Sequence, residues 1–174
     1  MAVLSVRKYG DPVLRRKAEP VGKITPELRR IVADMIDTMY DEVGIGLAAP
    51  QVGISLRLMV VGADPKREPQ ALLNSRIAEQ SGLVTAEEGC LSIPGIFADV
   101  TRAARVRVET TDLEGMPVSL DASGLFARVL QHEMDHLDGV LFIDRLDPMT
   151  RDRIKRRIKK EGFPEDAPHR AFAL

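Results

Sequence analysis

The sequence predicts a small α+β domain. Three observations predict it. Apolar residues recur at helical spacing near the N-terminus and again in the C-terminal third; short apolar or alternating runs fill the middle; and the order reads helix, several strands, then two helices. A parallel α/β sheet would instead alternate strands with helices. The 174 residues suit one domain, 1–174, with one core and a loose tail from about residue 163.

In order, the first twenty residues carry Pro12, Pro20 and several charges and read as an extended arm. Thr25 then Pro26 is a helix start, a capping oxygen followed by proline at the first helical position. Leu28, Ile31, Val32, Met35, Ile36 and Met39 continue at helical spacing and Gly44 is a stop, which predicts an N-terminal helix over about 26–43. The apolar run 56–61, ended by Gly62, predicts a buried strand, and 71–77 a weaker one. Over 105–111, Val106 and Val108 alternate with Arg105, Arg107 and Glu109; Glu114-Gly115 then turns the chain and 116–120 returns as the hairpin partner. A second helix is expected over about 123–138, with Gly139 just past its end. Pro148 opens a C-terminal helix dense in base, with Arg151, Arg153, Lys155, Arg156, Arg157, Lys159 and Lys160 around a narrow stripe of Ile154 and Ile158. Pro164 and Pro168 mark the tail.

Composition narrows the function classes. Hydrophobic content of 44% and charged content of 29% are those of an ordinary globular protein, and a net charge of -1 gives no bulk preference for nucleic acid or membrane. The single cysteine excludes an internal disulfide framework. No apolar run is long enough to span a bilayer, and Arg7, Lys8, Asp11 and Arg15 interrupt any signal-like stretch. The expectation is a soluble cytoplasmic protein.

The chemistry sits in the second helix. His132, Glu133, Met134, Asp135 and His136 read His-Glu-x-x-His. Positions four apart share a helix face, so both imidazoles can hold one divalent metal, with Glu133 placed to take a proton from a water the metal activates. Leu125 and Val129 continue the same stripe, which suits a pocket wall. Two histidines leave the ligand set one short. The pattern that adds a histidine after x-x-Gly-x-x fails, because Gly139 is in place but position 142 is Phe. A glutamate about twenty residues on fails as well, since Lys155 and Arg156 occupy that stretch, and His169 lies in the tail. Cys90, in Glu88-Gly89-Cys90-Leu91-Ser92, remains as an upstream thiolate ligand, with Gly89 allowing close backbone approach. The alternative, a small buried hydrophobe, stays open for a lone cysteine.

These motifs, together with 44–51, Gly-Ile-Gly-Leu-Ala-Ala-Pro-Gln, resemble the three signature segments of peptide deformylase: Gly-x-Gly-x-Ala-Ala-x-Gln, Glu-Gly-Cys-x-Ser and Gln-His-Glu-x-Asp-His. All three are complete and in the family's order, the last beginning at Gln131. The flanks agree in 11–15, in Ile93-Pro94 and in Leu137-Asp138-Gly139, so the resemblance covers about 6–157. It implies antiparallel sheets around a central metal-binding His-Glu helix. It implies removal of the formyl group from the N-terminal formyl-methionine of nascent polypeptides, with release of formate.

Carried over residue by residue, Cys90, His132 and His136 would hold one divalent ion, Fe(II) in the cell, with zinc, nickel or cobalt as alternatives. Glu133 would move the proton, and Gln51 with the Leu91 N–H would hold the developing oxyanion. Ile45 and Gly46 would pair with the substrate main chain, with Gly89 beside them, and Leu125 and Val129 would form the methionine slot. Asp135 and Glu88 would orient an imidazole or a neighbouring Arg102, or lie as solvated carboxylates. Arg128 stands where an aliphatic residue is expected and borders the pocket or faces solvent. Gly10 and Phe97 depart from the family's usual Pro and basic residue. The basic C-terminal helix is a solvated face or a dock for ribosomal RNA. The chain is expected to act as a monomer without a membrane. Three other readings compete: a different His-Glu-x-x-His metallopeptidase, a Cys–His hydrolase with Cys90 as nucleophile, and a non-catalytic ribosome-binding module.

Overall fold

A computed structural model describes residues 2–64 and 66–164. Pro168 and His169, and with them most of the expected tail, lie outside those residues. Among the described residues the chain forms helices α1 (Pro26–Asp41), α2 (Gly124–Leu137) and α3 (Pro148–Glu161). Its strands are β1 (Gly46–Ala48), β2 (Leu58–Val61), β3 (Gln70–Ser81), β4 (Val84–Cys90), β5 (Ile93–Arg102), β6 (Arg105–Thr111) and β7 (Pro117–Ser123). The α+β class is the expected one.

Helix α1 starts as its sequence dictates: Thr25 Oγ1 accepts the Leu28 N–H at 3.1 Å, with Pro26 at the first helical position. It ends two residues before the expected boundary. Gly44 N–H reaches Met39 C=O at 2.8 Å and Val43 N–H reaches Tyr40 C=O at 3.0 Å, the paired bonds that close a helix C-terminus. The left-handed residue that makes this turn is Val43, at φ 56°, and not Gly44.

Strands β1, β2, β3, β6 and β7 form one antiparallel sheet in the order β1-β2-β3-β6-β7. The expected hairpin is β6–β7, and the expected weak strand is the longer β3. Strands β4 and β5 make a separate two-stranded ribbon that the sequence pattern concealed. In β4 the buried positions are Glu88, Gly89 and Cys90; in β5, Pro94 and Gly95 break the period between Ile93 and Ile96. A charged buried residue and a glycine step hide a strand from an alternation test. The three-residue β1 was likewise indistinguishable from the end of the preceding turn.

Helix α2 lies in the middle of the molecule. Val129, Leu130, Met134 and Leu137 pack with Met59, Val61, Val106 and Val108 of the five-stranded sheet. Helix α1 covers a second cluster with Leu47, Leu58 and Val60. The ribbon belongs to a third, where Cys90, Ile93, Ile96 and Val100 meet Val13, Leu14 and Phe142, with Ile154 and Ile158 of α3 half-buried at its edge. Among the described residues no helix is long and apolar enough to cross a membrane.

Candidate metal centre

The ribbon and α2 bring together residues 42 positions apart or more. Cys90 ends β4, while His132 and His136 sit one turn apart on α2; all three are buried and their ligand atoms lie within 4.8 Å of one another. Cys90 Sγ is 3.3 Å from His136 Nε2. His132 Nδ1 is 2.9 Å from Glu88 Oε1, and its Nε2 is buried with no hydrogen-bond partner among the described residues. Both carboxylate oxygens of Glu133 are in the same condition. Buried polar atoms in native folds are almost always satisfied. A set of orphaned imidazole and carboxylate atoms beside a thiol therefore fits a cation, and the S/N donor types fit a divalent transition metal.

Glu88 and Asp135 are not solvated carboxylates. Glu88 is fully buried; it accepts His132 Nδ1–H, Arg102 Nε at 2.6 Å and Arg102 Nη2 at 2.9 Å. Asp135 accepts Arg102 Nη1 at 2.9 Å and Arg145 Nη2 at 2.7 Å. Arg128 neither faces solvent nor stands free: its guanidinium is buried against Glu88, Val100 C=O and Val84 C=O. Burial opposes ionisation of Glu88, yet the hydrogen bonds from His132 and Arg102 bring its carboxyl down to about 2. An ionised Glu88 accepts the hydrogen bond of His132 Nδ1–H, which fixes the proton on Nδ1 and leaves Nε2 with its lone pair toward the cluster.

Burial also shapes the reactive groups. It holds His136 well below its ordinary value, so the ring is a neutral ligand. It pushes Glu133 well above the carboxylate range, with Arg102 opposing the rise and Glu88 and Asp135 adding to it. It pushes the Cys90 thiol up to about 12, against backbone N–H bonds from Ser92 and Ile93. A thiol at that value is a poor nucleophile at neutral pH, which disfavours the Cys–His hydrolase; cation coordination deprotonates such a thiol outright.

The other expected residues gather around this cluster with one partial exception. Gln51 is fully buried; Ala48 N–H donates to its Oε1 at 2.9 Å, which turns Nε2 toward Ser92 Oγ at 3.2 Å and Cys90 Sγ at 3.7 Å. Leu91 follows Cys90 in the turn between β4 and β5. Gly46 lies against α2, since a Cβ there would stand 2.9 Å from Glu133 Oε1 and from Val129 Cγ1. Among the described residues strand β1 pairs only with β2, and Ile45 C=O already accepts Gly62 N–H at 2.9 Å, so Gly46 presents the outward main-chain groups. Gly89 is needed for the Phe97 ring, 2.5 Å from where a Cβ would be. Val129 is buried, whereas Leu125 is 43% exposed and stands at the rim. Contact of Glu88 with an imidazole and with Arg102 was one of the two expected alternatives; that Arg128 joins them in one buried hub was not readable, because charged residues in a sequence read as surface.

An imidazole pair and a thiol closing on one point, beside a buried carboxylate on a His-Glu-x-x-His helix, define a metal-dependent hydrolase. Comparison with known proteins narrows the class. Residues 3–152 match the family model described as polypeptide deformylase. A peptide deformylase of Alkalilimnicola ehrlichii is 47% identical over 162 residues, 92% of this chain and 91% of the relative. The crystal structure of peptide deformylase from Thermus thermophilus superposes with a TM-score of 0.86 at 46% identity, over 91% of this chain and 95% of that one. That from Synechococcus elongatus in complex with actinonin gives 0.85 at 44% identity, over 95% and 91%. The chain belongs to the polypeptide deformylase family.

Proposed function

We propose that this chain removes the formyl group from the N-terminal formyl-methionine of nascent polypeptides and releases formate. The observation that carries the site assignment is the convergence of Cys90, His132 and His136 within 4.8 Å beside the unpartnered Glu133 carboxylate. Cys90, His132 and His136 would hold the ion. Once bound, a divalent metal would supply Lewis acidity, lowering the pKa of a water toward about 7 and polarising a carbonyl.

The chain's own residues do the rest. Glu133 accepts the proton of the attacking water and hands it to the departing amine nitrogen as the C–N bond breaks; a carboxyl lifted by burial is matched to that two-way transfer. Gln51 Nε2–H and the Leu91 N–H donate to the formyl oxygen as its carbon becomes tetrahedral. The free edge of β1 at Gly46, flanked by Ile45, takes the substrate main chain as an added strand. Val129 forms the wall of the methionine slot and Leu125 its rim, with Gly89 leaving room at the ribbon side.

Fe(II) is the resident ion in this reading, with zinc, nickel or cobalt accepted by the same donors. The working unit is a monomer in the cytoplasm, where nascent chains emerge. The basic face of α3 is offered to ribosomal RNA; Arg153, Arg156, Lys159 and Lys160 lie on a helix with no buried residue. Ribosome binding that weakens steeply with salt and is lost on removing residues from 150 onward supports this, and salt-insensitive binding opposes it.

The deciding experiment is anaerobic purification with metal analysis, then formate release from formyl-Met-Ala-Ser by wild type and Glu133→Ala. The expected result is one metal per chain in both proteins and turnover lower by about 10²–10⁴-fold in the variant. Equal turnover would overturn the mechanism, and cleavage of unformylated peptide would return the other metallopeptidase.

A further inference from the structure

We propose that Arg128 is a positioning residue of the metal centre: its buried guanidinium clamps the β4–β5 ribbon, and Cys90 with it, onto the helix that carries His132 and His136. This rests on the metal-centre reading above.

The need for such a clamp follows from the packing. Cys90 belongs to the apolar cluster of Ile93, Ile96, Val100 and Phe142, whereas α2 packs Val129, Leu130, Met134 and Leu137 into the cluster beneath the five-stranded sheet. The ribbon shares no hydrogen-bonded strand with that sheet. The ligand set is thus split between two bodies, and its spacing depends on what joins them across their interface.

Arg128 joins them at three points. It donates to Glu88 and to Val84 C=O at 2.9 Å on β4, and to Val100 C=O at 2.9 Å on β5. In the ribbon register Val84 faces Arg102 and Ala86 faces Val100, so one guanidinium reaches carbonyls two register steps apart on the two strands. On α2, Arg128 precedes His132 by one turn on the same face. Arg102 with Asp135 and Gln131 with Ala103 secure the far end of β5, at 2.9–3.0 Å. Two of the three bonds from Arg128 fall on Cys90's own strand, and none of the three is made to a ligand atom. A guanidinium suits this place because its planar fork serves a carboxylate and two carbonyls together, where an ammonium acts as a point charge. Replacing Arg128 by methionine leaves His132 and Arg102 on Glu88, so the loss falls on the ribbon and not on the imidazole.

The test uses the nickel-loaded enzyme, its Arg128→Met and Arg128→Lys variants, and Arg76→Met as a control on an exposed arginine. Release of nickel to excess EDTA is followed together with amide exchange along the chain. Arg128→Met is expected to release metal about 10–100-fold faster, the range for lost outer partners of metal ligands. Amides of β4 and β5 should exchange faster while those of β2, β3 and β6 keep their rates, and Arg128→Lys should fall between. In the cobalt-loaded form the sulfur-to-metal absorption should weaken in Arg128→Met, which a merely stabilising side chain would not cause. Metal release within about twofold of wild type, or faster exchange spread evenly over the whole chain, overturns the proposal. If Arg128→Met does not fold, the lysine variant decides by the same criteria. A wild type that takes up no metal sinks the metal-centre reading and the proposal together; a variant that holds metal as wild type does sinks the proposal alone.

Discussion

Adding one methyl group at Gly46 should disable the enzyme without touching a metal ligand. A Cβ at this position would stand 2.9 Å from Glu133 Oε1, 2.9 Å from Val129 Cγ1 and 3.0 Å from Glu133 Cγ. Each is well inside the optimum separation of about 3.5–4.0 Å. Gly46 cannot retreat freely, because it opens β1 and is paired with Val61 of β2, which is paired in turn with β3. Val129 is fully buried and moves only with α2. The group that can yield is the Glu133 carboxylate, which has no hydrogen bond among the described residues to hold it.

Overpacking of this kind costs about 1–3 kcal/mol, and in a chain of this size each 1 kcal/mol lowers Tm by about 2–4 °C. A proton-transfer group displaced by about 1 Å loses on the order of 10²-fold in rate. Gly46→Ala is therefore expected to lower Tm by several degrees and kcat by about 10²-fold, with metal content unchanged. Formate release from formyl-Met-Ala-Ser, normalised to bound metal, and thermal unfolding by circular dichroism measure both. A variant within about threefold of wild-type kcat and about 1 °C of its Tm would show that β1 does not press on Glu133 as described.

Gln51→Leu should keep the metal and lose about 10²–10³-fold in kcat, since Gln51 Nε2 turns an amide donor toward Cys90 Sγ at 3.7 Å; an unchanged kcat removes Gln51 from the oxyanion site. Val43→Gly should raise Tm by about 2–4 °C, because a β-branched residue at φ 56° carries about 1–2 kcal/mol of strain and its half-exposed side chain contributes little burial; a fall in Tm would contradict this. Glu88 titrates from an ordinary 4.5 down to about 2 in the fold. A lowered carboxyl stabilises the folded state above its ordinary value, and that contribution drains as pH falls through the interval to about 2. Urea midpoints of the metal-free protein should therefore drop between about pH 5 and pH 3, and a flat profile would refute the buried ion pair.

The parts of the fold that could be read in the sequence are those where side-chain pattern and backbone agree. Thr25-Pro26 capped α1 as expected, Pro148 opened α3, and Val106 and Val108 placed β6 in the core. Apart from the three-residue β1 and the Pro94-Gly95 step in β5, the parts that could not be read are those where polar groups are buried. Glu88 and Arg102 stand at inward positions of the ribbon, and Arg128 occupies an inward position of α2. Three motifs pointed to Cys90, His132, His136, Glu133 and Gln51, but not to the guanidiniums that hold two of the ligands' elements together. Those guanidiniums sit outside any motif, and their partners become neighbours only through β4–β5 pairing and the docking of α2.

The same burial explains why repairing the pattern should damage the protein. Glu88→Val would make β4 a better strand by propensity and by alternation. It would also leave Arg102 and Arg128 without the carboxylate they share and His132 Nδ1 without its acceptor. Breaking a buried pair by removing one partner costs about 3–5 kcal/mol, several times the span of about 1 kcal/mol that strand propensity can return. Glu88→Val is therefore expected to be less stable than wild type and to bind metal more weakly, while Glu88→Gln, which keeps two acceptor lone pairs, should recover part of both. Urea unfolding and metal stoichiometry after dialysis read the outcome. A Glu88→Val protein as stable and as metal-replete as wild type would mean that the hub of arginines is a bystander to the site.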